Sequence, residues 1–84
     1  MSYQIIWKPE ADRKFLELCE QPGQEAVVSA AAQEFMQLLR QDPLNVGESR
    51  SGSRRIAFVG RIAFLFSVHP DDQLIVVKSL WTIR

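Results

Sequence analysis

One cysteine and one histidine in 84 residues leave little for several kinds of chemistry to work with. Cys19 has no second thiol to pair with, so an internal disulfide is excluded. With His69 as its only imidazole companion it makes no cluster of soft ligands, and neither a metal nor another cofactor is expected. Long apolar runs are missing too. The longest unbroken one is Ile62 to Phe66, far short of the ~20 residues that cross a bilayer. Lys8, Glu10, Asp12, Arg13 and Lys14 interrupt the first twenty residues, which excludes a signal-peptide apolar core, so a cytoplasmic protein with no membrane partner is expected. An excess of charge of either sign is absent as well: ten Lys and Arg balance ten Asp and Glu, which argues against binding nucleic acid through overall charge alone. No internal repeat and no low-complexity segment occurs.

What is present is 46% hydrophobic residues in a chain that fits one domain spanning residues 1–84. A chain of this size hides only about 60–65% of the surface that its unfolded form exposes, so most apolar side chains must serve the core. Tyr3, Ile5 and Trp7 alternate with Gln4 and Lys8, the period of a half-buried strand. Pro9 follows, with Glu10 and Asp12 at the positive end of a helix dipole. Ala11, Phe15, Leu18 and Cys19 then share one face of a helix over residues 9–20, which Pro22 and Gly23 end. Val28, Ala31, Ala32, Phe35, Leu38 and Leu39 trace a longer helix from about Gln24 to Asp42-Pro43. Asn45 to Ser53 is small, polar and unperiodic and reads as a mobile loop. Residues 54–58, 61–69 and 74–82 read as a three-stranded meander, with Ile62, Phe64, Phe66 and Val68 on its buried face. The order β-α-α-β-β-β predicts an α+β fold: an antiparallel sheet with a two-helix hairpin packed on one face and the other face partly open.

The overall neutrality conceals polarity. Residues 1–42 carry four cations and seven anions, a net of −3; residues 43–84 carry six cations and three anions, a net of +3. The second group is Arg50, Arg54, Arg55, Arg61, Lys78 and Arg84, rich in the side chain whose planar fork matches phosphate bidentately. If Phe58-Val59-Gly60 form a three-residue turn, Arg55, Ala57, Arg61 and Ala63 project from the open face with Ile56 and Phe58 in the core behind them. That arrangement would make a shallow anion site. The alternative is that these arginines solubilise the sheet and pair with acidic neighbours.

The chain resembles the RelE/ParE toxin superfamily of bacterial type II toxin–antitoxin systems. The resemblance covers nearly its whole length. It rests on the Tyr3-to-Trp7 strand followed by Ala11 and Leu18, the helix ending in Leu39 and Asp42-Pro43, and the Gly47-Glu48-Ser49-Arg50 loop. It continues with Arg54 entering the meander, Gly60-Arg61 leading to Phe64, and Leu74-x-Val76 running on to Arg84. It implies a RelE-like fold and a cognate antitoxin as partner. For the ribonuclease members it also implies a concave face that holds mRNA on the ribosome. Arg61 matches the arginine that contacts the scissile phosphate and Arg84 the arginine beyond the last strand, the two implied catalytic positions. Arg50, Arg54, Arg55 and Lys78 are the implied RNA- or phosphate-binding set.

Guanidinium groups there would stabilise a pentacoordinate transition state formed by attack of a 2′-hydroxyl on phosphorus. Proton transfer is another matter, because arginine cannot supply it. Trp81 stands where many relatives carry histidine, Tyr3 reads as a core or edge residue, and His69 precedes Pro70 in a turn. Trp7 and Trp81 read as core. Three functions follow from the resemblance: a ribosome-dependent mRNA endonuclease, a toxin that poisons DNA gyrase without nucleolytic chemistry, or a non-toxic member that binds only its antitoxin.

Overall fold

The computed structural model describes residues 3–83. Five strands and two helices follow one another as β1 (Gln4–Trp7), α1 (Pro9–Glu20), α2 (Glu25–Gln41), β2 (Glu48–Ser49), β3 (Arg54–Val59), β4 (Ile62–His69) and β5 (Leu74–Thr82). Single turns of 3-10 helix at Pro43–Asn45 and Pro70–Asp72 link α2 to β2 and β4 to β5. Pro9 opens α1 with its ring-fixed φ, and Glu10 and Asp12 occupy the first turn as the sequence pattern predicts. The strands form one sheet in the order β1-β5-β4-β3-β2.

The expected α+β architecture is present, with one change in the sheet: it is mixed, because β1 pairs in parallel with β5. The alternation of Tyr3, Ile5 and Trp7 determines which face is buried but carries no information about strand direction. A parallel partner needs a long crossover, and both helices together with three strands supply one here. The 45–53 segment is also more ordered than its composition suggests. Glu48 and Ser49 add to β3 as a two-residue edge strand, opposite Ile56 and Arg55.

Both helices pack on the same side. Ala11 and Leu18 of α1 and Val28, Ala31, Ala32, Phe35 and Leu39 of α2 join one apolar cluster with Ala57, Val59, Ile62, Phe64, Phe66, Val68, Ile75, Val77 and Leu80 of the sheet. Phe35 is its centre, stacked on Phe64 with ring centroids 4.2 Å apart and edge-on to Phe66 at 5.3 Å. Trp7 packs edge-on to Phe15 and Phe64 and donates its indole N–H to the Met36 sulfur at 3.4 Å.

The β3–β4 turn is where the sequence reading and the structure part. The chain reverses at Gly60-Arg61, with Val59 opposite Ile62, and Gly60 has φ +60° at the first of the two turn positions, where type II′ hairpins favour glycine. Moving the turn by one residue exchanges the two faces of β3. Ala57 and Val59 therefore lie buried under the helices, opposite Phe64 and Ile62, while Ile56 and Phe58 emerge on the helix-free face. Along β4 the expected assignment of Ile62, Phe64, Phe66 and Val68 to the buried face is correct.

Candidate functional site

Strand register arranges the helix-free face into rows. One row crosses the sheet as Trp81, Ala63 and Phe58; the next is Ser79, Leu65, Ile56 and Glu48. A third runs Ile6, Val76, Ser67 and Arg54, and a fourth ends in Leu74 and His69. Ala63 is buried beneath Trp81 and Phe58, which stand two strand spacings, about 10 Å, apart. Phe58 is 54% exposed, Ile6 42% and Trp81 38%, so the expectation of a core role fails for Trp81, while Trp7 is half-buried in the cluster. This face is predominantly apolar and aromatic.

The cations predicted to share an anion stand apart. Arg55 lies on the opposite side of β3 from Arg54 and is turned into the α2–β2 connection, where its Nε donates to the Val46 carbonyl at 2.9 Å and its Nη2 to the Gly47 carbonyl at 3.1 Å. Arg50 pairs with the Glu48 carboxylate at 3.7 Å, and Arg54 donates to the Ser51 hydroxyl at 3.2 Å. Arg61 is exposed at the hairpin tip. Arg54 pairs with Ser67 at the far end of the β3–β4 ladder, five rungs from the Val59–Ile62 pair, so about 17 Å of sheet separates it from the turn that holds Arg61. Lys78 is the extra residue of a bulge: Leu65 faces Ser79 and Phe66 faces Val77, leaving Lys78 with no partner across the ladder. Arg84 lies outside the described residues.

His69 is more structured than a turn residue. It ends β4, and its Nε2 lies 2.9 Å from the hydroxyl of buried Ser67, two residues earlier on the same face. The i, i+2 spacing of Ser67 and His69 within a strand was the available signal. Eight residues of extended chain place His69 about 25 Å from Arg61. Among the described residues no group of three or more His, Cys, Asp or Glu side chains is placed to hold a metal ion, and no helix is long and apolar enough to cross a membrane.

The fold has clear structural relatives. A chain of the RelBE2 toxin–antitoxin complex from Mycobacterium tuberculosis superposes with a TM-score of 0.76 at 15% identity, covering 98% of this chain and 92% of its own length. A chain of the chromosomal ParDE system from P. aeruginosa gives 0.74 at 15% identity over 98% and 97%. The fold is that of the RelE and ParE toxins. The archaeal RelE–RelB complex from Pyrococcus horikoshii OT3 extends the likeness, with a TM-score of 0.69 at 19% identity over 98% of this chain and 96% of that one. No family model matches the sequence, and no curated protein matches it. The likeness to RelE and ParE is thus carried by architecture.

Arg55 has a definite structural role on this scaffold. Replacing it by alanine leaves the Val46 and Gly47 carbonyls without their charged donor, and we expect a loss of about 1–3 kcal/mol in urea unfolding. Arg55→Lys should recover little of it, since an ammonium cannot reproduce the two-pronged contact.

Proposed function

We propose that this chain is the toxin of a type II toxin–antitoxin pair and that it acts by seating a protein target on the helix-free face of its sheet, without cutting RNA. The observation that carries this reading is the composition of that face. Trp81, Phe58, Leu65, Ile56, Val76 and Ile6 occupy most of three successive rows. Exposed aromatic and aliphatic groups with scattered arginines are what the energetic centre of a protein interface is made of. A groove for single-stranded RNA adds a track of cations to its stacking platforms. Here Arg54 sits at one end, Arg61 at the other, and the acidic Glu48 between them.

The chemistry of RNA cleavage argues the same way. Attack of a 2′-hydroxyl on phosphorus needs a proton acceptor, a proton donor and a cation within hydrogen-bond reach of one phosphate. His69 and Glu48 are the candidate proton-transfer groups on this face, and neither stands beside Arg61: His69 lies about 25 Å away, and Glu48 faces Ile56, three rungs or about 10 Å of sheet from the Val59–Ile62 pair at the turn. A protein-binding toxin needs none of these, and DNA gyrase is the target that the ParE resemblance implies.

The test is controlled expression in bacteria, following protein synthesis, DNA synthesis and plasmid supercoiling together. Supercoiling and DNA synthesis should fail first. Ile6→Asp combined with Trp81→Asp should relieve growth inhibition, while Arg61→Ala should leave it in place. Early arrest of protein synthesis with cleaved mRNA would overturn the reading.

A further inference from the structure

β1 is the outermost strand of the sheet, and β5 is the strand beside it. The parallel ladder between them uses every second residue of β1. The Gln4 amide donates to the Gln73 carbonyl at 2.9 Å and the Lys8 amide to the Val77 carbonyl at 2.9 Å, so Gln4, Ile6 and Lys8 turn their backbone groups toward β5. Ile5 and Trp7 alternate with them and direct their N–H and C=O groups away from the sheet, where no strand meets them among the described residues.

Edges of this kind are ordinarily blunted by a charged side chain, a proline or a bulge. Gln4-Ile5-Ile6-Trp7 has none of these, and its register with β5 is regular throughout. The opposite edge is different, because β2 is two residues long, carries Glu48 and is followed directly by Arg50. On the helix-free side of β1, Ile6 is an exposed apolar side chain at the rim of the sheet. The chain has no net charge, so copies of it feel no long-range repulsion.

We propose that two copies of this chain join through their β1 edges, antiparallel about a two-fold axis at Ile6, so that one continuous sheet runs through both. The strand is self-complementary in this register. Ile5 faces Trp7 of the second copy and Trp7 faces its Ile5; each pair exchanges two backbone hydrogen bonds, and every outward group of the two strands finds a partner. Ile6 meets Ile6 of the second copy as a close, non-hydrogen-bonded pair, with Cα atoms about 4.5 Å apart. Gln4 falls beside Lys8 of the second copy, an amide against an ammonium, and the two Lys8 residues stand about 14 Å apart along the joined strands, beyond a Debye length at physiological salt. The two-fold register centred on Ile5 instead would set Ile6 against Gln4 and leave the exposed isoleucine without an apolar partner. On the helix side Trp7 leans inward onto Phe15 and Phe64, which leaves room at the axis. Because the axis is normal to the sheet, the helices of both copies stay on one side. The row Arg54, Ser67, Val76, Ile6 then continues through Ile6 of the second copy into its own Val76, Ser67 and Arg54, and the helix-free apolar face doubles. A contact this small gives a concentration-dependent dimer, with a Kd of about 10–100 µM.

The experiment uses the full chain alone, at about 5 µM and about 500 µM, and reads mass by sedimentation and backbone amide exchange by NMR. The chain should be a monomer at the lower concentration and a dimer at the higher, with the Ile5 and Trp7 amides gaining protection as the dimer forms. Ile6→Lys, which opposes two ammonium groups at the axis, should weaken the dimer about 10-fold or more. Phe58→Lys, exposed on the same face but three strands from the edge, should dimerise as the parent does. Ile6→Cys in a Cys19→Ser background gives a second reading that keeps a small side chain at the axis: the close pair lies within disulfide reach, so mild oxidation should link the two copies. A chain that stays monomeric at the higher concentration overturns the proposal. So does a dimer that Phe58→Lys breaks, one that Ile6→Lys spares, or one whose Ile5 and Trp7 amides exchange as in the monomer. A dimer that Ile6→Cys fails to link overturns the register centred on Ile6. None of these results depends on whether the chain is a toxin.

Discussion

Phe35→Ala should cost about 3–5 kcal/mol. The ring is fully buried, stacks on Phe64 and meets Phe66 edge-on, so it bridges α2 to the central strand of the sheet. Truncation removes the ring's transfer energy, two aromatic contacts and the filling of the space between helix and sheet. A domain of this length has few other large side chains to close over the void. With total stability of about 5–15 kcal/mol for ordinary domains, and small ones at the low end, the variant should unfold at much lower urea and lose about 12–40 °C in Tm. Phe35→Leu should retain most of the parent's stability, because a branched aliphatic fills much of the volume. Urea titrations of both variants followed by circular dichroism decide the matter; a loss below about 1 kcal/mol for the alanine variant would show that the core relaxes around the gap.

Gly47→Ala should be the most damaging of the glycine substitutions, at about 2–4 kcal/mol. Two separable penalties act there. The backbone sits at φ +76°, where a Cβ costs about 1–2 kcal/mol. The new methyl also meets the Ile56 carbonyl oxygen at 2.7 Å, its carbon at 3.0 Å and the Ala57 nitrogen at 3.3 Å, all backbone atoms with little room to retreat. Gly23 isolates the first penalty: its φ is +73° and nothing lies within 4 Å of an added Cβ. Gly23→Ala should therefore lose about 1 kcal/mol, and the difference between the two variants measures the close approach of the α2–β2 connection to β3. Equal losses at both positions would mean that the connection shifts freely.

The helices and the identities of the strands were legible in the sequence because each rests on a local signal. Pro9 marks the start of α1, the spacing from Val28 to Leu39 marks α2, and β-branched and aromatic residues mark the last three strands. Two features were not legible, for different reasons. The facing of β3 depends on a single residue of turn placement, and Arg-Ile-Ala-Phe-Val presents acceptable apolar residues to the core in either register: Ile56 and Phe58 in one, Ala57 and Val59 in the other. The packing of α2 decides between them, since small Ala57 fits opposite Phe64 where Phe35 already stacks. The spread of the arginines is a long-range property. Strand alternation sends Arg54 and Arg55 to opposite faces, but nothing in the pair says which one takes the open face or that the other clasps carbonyls at Val46 and Gly47, because that connection acquires its position only when β2 pairs. The share of Ile56 and Phe58 in the apolar free face followed from the same turn, and so could not be seen before the turn was placed.

The parallel pairing of β1 with β5 bears on the order in which the molecule assembles. Ile5 finds its partner at Ile75, so closing that contact confines about seventy residues, at a loop entropy of roughly 4 kcal/mol, whereas the β3–β4 hairpin closes across two residues. Local hairpins should form first, and the first strand should dock last, onto an edge that does not exist until the fifth strand has been made. During synthesis at about 5–20 residues per second, the helices are complete some 2–8 seconds before Thr82 ends β5. For that interval the apolar side of the helical hairpin has no finished sheet beneath it. The nascent chain is then at its most vulnerable to aggregation, and a partner made nearby could meet it before its own core closes.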